Sequence, residues 1–189
     1  MAHIEVFTFK EGNNIDLVPL NTEHAKLYQK WRNHPIIRKY LIEHLPTTLE
    51  AIKKWINPQQ EGLQRSIFFE IWHKKDKKPV GIAGLDHINW FYRWSTTYIF
   101  IGEREYWNQN IATESLKLLL EYGFNELNLN KMNGWINVEN KASLRVAEKA
   151  GLTFEARVKQ LAYIDGKYMD VNFYGILKDD WINKENRKI

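Results

Sequence analysis

Apolar residues along this chain follow two interleaved rhythms, one of strands and one of helices. Ile15 to Leu20 predicts a strand. Helical spacing follows at Glu23 to Asn33 and at Thr48 to Ile56, stopped by His34-Pro35 and Asn57-Pro58. Ser66 to His73 (SIFFEIWH) reads as a buried strand, with Val80 to Ile88 as its hairpin partner across the polar turn Lys74 to Pro79. After an aromatic loop, Asn89 to Trp94, comes a strand at Thr96 to Ile101 and a long helix at Ala112 to Leu127. Trp135 to Val138 predicts a strand, and Asn140 to Ala150 a helix closed by Gly151. Ala156 to Ile164 and Val171 to Leu177 form a last hairpin around Asp165-Gly166. Hairpins mixed with helical crossovers imply an α/β fold, a mixed sheet flanked by helices in one domain over residues 1–189, with its core at about 15–177.

The passage from the strand ending at Ile101 to the helix opening near Ala112 carries the most chemistry. A strand that stops at a polar turn, Asn108-Gln109-Asn110, and opens a helix leaves backbone N–H groups unpaired. With the positive end of the helix dipole they suit a phosphate or pyrophosphate, although an ordinary strand-turn-helix connection has the same pattern. Asn110 tolerates a left-handed backbone and is expected to cap the helix starting at Ile111.

Composition narrows the classes. Cysteine is absent, so thiol nucleophiles, disulfides and thiolate metal sites are excluded, and no metal is expected. No apolar run approaches the ~20 residues needed to span a bilayer, and the amino-terminal stretch lacks signal-peptide character. A cytoplasmic protein without membrane attachment is expected. The net charge of +4 comes from local clusters, Lys74-Lys75 with Lys77-Lys78 and Lys184 with Arg187-Lys188. These read as solvated turn and tail charges, not a nucleic-acid stripe, though a mild positive field attracts an anionic cofactor.

The segment Ile101-Gly102, Tyr106-Trp107, Ala112-Thr113-Glu114 resembles the acyl-CoA-binding motif of the GCN5-related N-acetyltransferases, in the branch holding ribosomal-protein and polyamine acetyltransferases. That branch typically reads IG-x-x-x-YW-G-x-G-x-AT-E, and Asn110 and Asn108 stand where glycines are common. A second stretch, Asn140, Ser143, Val146 and Gly151-Leu152, resembles the family's N-x-x-S-x-x-V-(x)4-G-F signature, with Leu152 in place of phenylalanine. The order of elements is similar as well, and the resemblance covers roughly Ile15 to Leu177. It implies a central, mostly antiparallel sheet and acetyl transfer from acetyl-CoA to a primary amine in a ternary complex.

The resemblance assigns cofactor binding to Gln109, Asn110, Ile111, Ala112 and Thr113 at the pyrophosphate, to Ile101 and Gly102 on the pantetheine strand, and to Asn140 and Arg145. It suggests Ser143 as proton donor to the thiolate, because the tyrosine many relatives use is Ala147 here. Read from the residues alone, Asn140 caps a helix and Ser143 is a first-turn serine. No base is assigned. Carboxylates that relatives carry are replaced by Ala162 and Thr96, leaving Asp86, His87 and Glu103 able to relay a proton through water. Satisfied polar groups at a hairpin end are the other reading of Asp86 and His87.

Trp31-Arg32-Asn33-His34-Pro35 resembles a WRN-x-P element, which points to Trp31, Arg32 and Asn33 as acceptor-binding residues; Trp31 also suits packing on the sheet. Tyr168 and Asp170 resemble a DG-x-Y-x-D hairpin that shapes an acceptor pocket or orders a turn. The aromatic loop Trp90 to Trp94 suits an acceptor wall or a homodimer contact equally. A protein amino terminus, an amino sugar and a small amine all fit as acceptors. The amino-terminal half has no acidic cluster of the kind a polyamine calls for, which favours a sugar nucleotide or a peptide. The departures at Asn110, Ala147 and Ala162 leave an acyl-CoA-binding regulatory or weakly catalytic module as the alternative.

Overall fold

The computed structural model describes residues 6–41, 45–58 and 62–186. In chain order its strands are β1 (Lys10–Glu11), β2 (Ile15–Pro19), β3 (Ile67–His73), β4 (Lys78–Asn89), β5 (Trp94–Ile101), β6 (Lys131–Asn137), β7 (Thr153–Ile164) and β8 (Lys167–Leu177). The helices are α1 (Ala25–Asn33), α2 (Pro35–Arg38), α3 (Leu49–Ile56), α4 (Ile111–Glu121), α5 (Lys141–Ala150) and α6 (Lys178–Asn186). One eight-stranded sheet runs in the order β1-β2-β3-β4-β5-β6-β8-β7. Its described pairings are antiparallel except β5 with β6, the pair joined by α4. A parallel pair needs such a crossover.

Alternation along β4 and β5 sends side chains to two cores. Ala83, Leu85 and Ile99 meet Leu116, Leu119 and Ala147 beneath α4 and α5. Ile82, Tyr98 and Phe100 meet Tyr28, Trp31 and Ile52 beneath α1 and α3. The sheet is therefore a middle layer with helices on both faces.

Most predicted elements keep their places, with differences that have local causes. The helix expected to run to Leu127 is α-helical only to Glu121 and finishes as a wider π-turn, Tyr122–Glu126. Within it Gly123 lies so close to Met132 that an added Cβ would sit 2.5 Å from the sulfur. Pro35 breaks the first helix as expected and then serves as the first residue of α2, where its missing N–H costs nothing. The tail read as polar and solvated forms α6, because Trp181 packs on Phe124 at 5.5 Å and Lys184 Nζ donates to Gly151 O at 2.7 Å. Arg187 and Lys188 of that tail lie outside the described residues.

Under α1 the sheet buries a carboxylate, Glu70, 1% exposed. It accepts the Tyr28 hydroxyl and faces His24 Nδ1 at 2.5 Å. That hydrogen bond, the larger influence, and the carboxylate's charge raise the His24 pKa, while burial opposes them. A protonated His24 satisfies a charge that would otherwise be stranded in the core. Because the folded-state pKa is the higher, this stabilisation is complete below the ordinary histidine value of about 6.5 and fades as pH rises through the folded value. The Tm difference between the parent and His24→Gln should thus be largest below pH 6.5 and narrow on raising the pH. A difference that widens with pH would refute the pairing.

Candidate active site

β5 and β6 stay paired only over Trp94–Thr96 with Lys131–Asn133. At the last pair, Thr96 Oγ1 donates to Asn133 Oδ1 at 3.0 Å and Thr97 Oγ1 to Asn133 O at 3.1 Å. Beyond this clasp β6 continues along β8 through Asn137 while β5 leaves toward α4. The strands part, and among the described residues no strand pairs with β5 on that side from Thr97 to Ile101, where Ile101 O accepts from Trp107 Nε1 at 3.0 Å.

Two adjoining cavities fill the opening. The outer one, about 620 Å³, runs between β5, the loop before α4, and α5, with the end of α2 on its rim. Its wall includes Ile101, Gln109, Asn110, Ile111, Ala112, Thr113, Asn140, Ser143 and Arg145. The inner one, about 140 Å³, lies at the fork and is bounded by Asp86, His87, Tyr98, Trp135, Asn137 and Ala147 among others. Ala112, Asn140 and Ser143 line both. The sequence-derived cofactor residues are thus brought together, Gly102 excepted.

Each wall has a local cause. Asn108 and Asn110 both adopt the left-handed conformation, at φ 61°, that glycine would take without strain. Asn110 does not cap α4, contrary to expectation. A side-chain cap requires an extended backbone at that position, and here the Asn110 carbonyl oxygen Oδ1 accepts from Lys149 Nζ at 3.2 Å. The first turn of α4 keeps N–H groups for a ligand, with Arg145 and Lys149 of α5 lining the same cavity. An elongated cleft whose wide end combines backbone donors with two cations fits the phosphates of a coenzyme. Glu114 of the same motif has another task. Its carboxylate accepts from Asn14 N at 2.8 Å and Asn14 Nδ2 at 3.1 Å, tying the β1–β2 turn to α4.

On α5, Asn140 Oδ1 accepts from Ser143 N at 3.1 Å, the expected cap. Ser143 is half-buried, and its hydroxyl is not committed to another described residue. Ala147, 2% exposed, leaves open the space that a larger side chain would fill. Across the fork, β4 bulges after Asp86, and His87 takes φ 53°. Asp86 Oδ1 accepts from Ser66 Oγ at 2.6 Å and from His87 N at 2.8 Å.

The residues expected at the acceptor lie elsewhere. Trp31 is 1% exposed and its Nε1 donates to Glu103 Oε1 at 2.8 Å, so it belongs to the core beneath the cleft and also engages one of the candidate bases. Gly102, buried, exists for that ring: a Cβ there would meet Trp31 atoms at 2.2–2.4 Å. Asn33 clasps Thr47, donating to its carbonyl at 2.8 Å and accepting its N–H at 2.9 Å. Arg32 stacks over Trp55 at 5.3 Å. Tyr168, 68% exposed, pairs with Tyr163 at the tip of the β7–β8 hairpin. Asp170 accepts from Gln160 N at 3.0 Å and Arg157 Nε at 2.7 Å, which together hold its carboxyl below the usual range. In the aromatic loop, Trp90 donates to Gln64 O while Phe91 and Tyr92 face solvent, away from either cavity. In their stead the fork is walled by Tyr40, His87 and Trp135. No signal in the sequence marks Trp135, whose 43% exposure on a strand emerges only from the structure.

Comparison with known proteins agrees with this geometry. A model of the acetyltransferase (GNAT) domain matches residues 14–153, and the chain belongs to that family. It is 30% identical over 138 residues to the probable N-acetyltransferase YjcK of Bacillus subtilis (strain 168), covering 70% of this chain and 75% of that one. It is 26% identical over 161 residues to the spermidine N(1)-acetyltransferase of Escherichia coli (strain K12), covering 83% and 82%. The fold matches the crystal structure of spermidine N-acetyltransferase from Vibrio cholerae in complex with CoA and spermine, with a TM-score of 0.83 at 23% identity over 91% of this chain and 100% of that one. The protein is accordingly an acetyl-CoA-dependent N-acetyltransferase.

Gly102→Ala should lower stability by about 1–3 kcal/mol through overpacking against Trp31, seen as a reduced Tm. An unchanged Tm would mean that the Trp31 ring is free to give way.

Proposed function

We propose that the forked cleft holds acetyl-CoA in its outer part and a primary amine in its inner part. The observation that carries this reading is that Ser143 and Ala112 border both cavities, so the two substrates would meet beside them. Backbone donors from Gln109 to Thr113, with Arg145 and Lys149, hold the phosphates. The edge of β5 that β6 leaves beyond Thr96 supplies backbone groups for the amides of the pantetheine arm. Bound there, the coenzyme supplies an activated acetyl thioester.

The residues at the fork divide the remaining work. Asp86 draws in the amine as its ammonium and takes up one proton directly or through water, and the second proton that the nitrogen must lose passes to solvent once the N–C bond has formed. As the new N–C bond forms and the C–S bond breaks, Ser143 supplies a proton to the departing sulfur and is reprotonated from solvent. A small-amine acceptor is supported by the spermidine N(1)-acetyltransferase relative, and the whole chain is read as one catalytic domain. No helix among the described residues is long and apolar enough to cross a membrane.

Ser143→Ala should lower kcat by ~10- to 100-fold, since water substitutes in part, with little change in Tm because the Asn140 cap uses the backbone of residue 143. An unchanged kcat would move the proton donation to solvent. Ala112→Phe should abolish acetyl-CoA binding by calorimetry, because a bulky ring at the junction obstructs both cavities. Undiminished binding would displace the coenzyme from this cleft.

A further inference from the structure

The inner cavity has a chemistry of its own, which narrows the acceptor. Asp86 is the one carboxylate among its described lining residues. Oδ1 is occupied by Ser66 and His87 N–H, whereas Oδ2 has, among the described residues, the His87 ring alone at 3.4 Å and is left for an ammonium. Rings stand around it. Trp135, 43% exposed, lies nearly parallel to His87 (6.3 Å, 19°) and is backed by Phe173 at 5.2 Å. Tyr98 is fixed by Phe68 and Phe100, at 5.4 and 5.8 Å.

Several other polar groups of the wall are engaged inside the protein. The Thr96 and Thr97 hydroxyls donate to Asn133, and the Asn140 carbonyl caps α5, which leaves few partners for the hydroxyls of a sugar. Besides the Ser143 hydroxyl, assigned above to the thiolate, Asn137 is an exception. It is 9% exposed, its Nδ2 has no hydrogen-bond partner, and it borders the same cavity, so it lacks an acceptor that a ligand could bring. A polyamine would need further carboxylates for its other positive charges, and the described lining offers none beyond Asp86.

Resting on the acetyltransferase reading of the cleft, we infer that the acceptor is a primary amine carrying an aromatic ring a few bonds from the nitrogen, an arylalkylamine. Its ammonium sits on Asp86 Oδ2, its ring lies against Trp135, and a polar substituent on the ring accepts from Asn137. The transfer is that already described: the amine nitrogen gains the acetyl group, and one of its protons leaves by way of Asp86.

The test is kcat/KM for tyramine, 2-phenylethylamine, n-butylamine, glucosamine and spermidine, on protein whose acetyl-CoA binding has been measured by calorimetry. The two aromatic amines should exceed the other three by about 10-fold or more. Trp135→Ala should cut the ratio of 2-phenylethylamine to n-butylamine by about 10-fold, and Trp135→Phe, which keeps a ring, should largely preserve it. Faster turnover of a tripeptide beginning with phenylalanine would support the same chemistry and place it at a polypeptide terminus. Highest activity on spermidine or glucosamine, no turnover of any amine, or a ratio indifferent to Trp135→Ala would overturn the inference while leaving the cleft reading intact. Failure to bind acetyl-CoA would overturn both.

Discussion

The clasp between Asn133 and the hydroxyls of Thr96 and Thr97 fixes the point at which a parallel strand pair stops being a pair. Everything functional follows from that stop. A sheet buries its backbone polar groups by pairing them, so an interior strand left with an open edge is a standing demand for hydrogen bonds. Here the demand falls on the stretch of β5 that leads into the first turn of α4, where further unpaired donors wait. The cleft is thus lined by backbone groups that β6 does not pair, as the binding of a long amide- and phosphate-bearing ligand would require. β8 makes the opening affordable by pairing with β6 through all seven of its residues.

How legible this was depended on sequence distance. Much of the outer cavity comes from contiguous stretches, Ile99 to Ile101, Tyr106 to Thr113 and Asn140 to Lys149, and the last two hold helix starts with turn chemistry that a reader of residues can recognise. The inner cavity draws residues from the stretch after α2, the β4 bulge, β5, α4, β6 and α5. No spacing rule joins Tyr40, Asp86 and Trp135. Glycine-to-asparagine replacement in the loop was read correctly as to backbone and wrongly as to cap, because the left-handed conformation that makes asparagine acceptable also turns its side chain toward Lys149.

Trp31, Arg32 and Asn33 show the converse. A short polar-aromatic motif looks like a binding element until its face is known. Trp31 fills the hollow above Gly102, and Asn33 pins the backbone at Thr47, so this element supports the cleft floor from below. In the same way Glu114, part of the coenzyme motif, anchors an amino-terminal turn. Residues that fix the framework and residues that meet the ligand alternate within one motif, and only packing separates them. The fold itself was more readable, since strand and helix periods persist over whole elements. Its omissions among the strands and α-helices were β1 and α2, both too short for a period, and α6, attached through Trp181.

Amide hydrogen exchange with and without acetyl-CoA tests the central claim most directly, because it reads the open edge itself. The account predicts that the coenzyme slows exchange at the β5 edge between Thr97 and Ile101 and in the first turn of α4. The β3 and β4 amides, already paired on both sides, should change little. Protection confined to other elements, with β5 and the α4 turn unaffected, would contradict the claim that the parting of β5 from β6 is where the coenzyme binds.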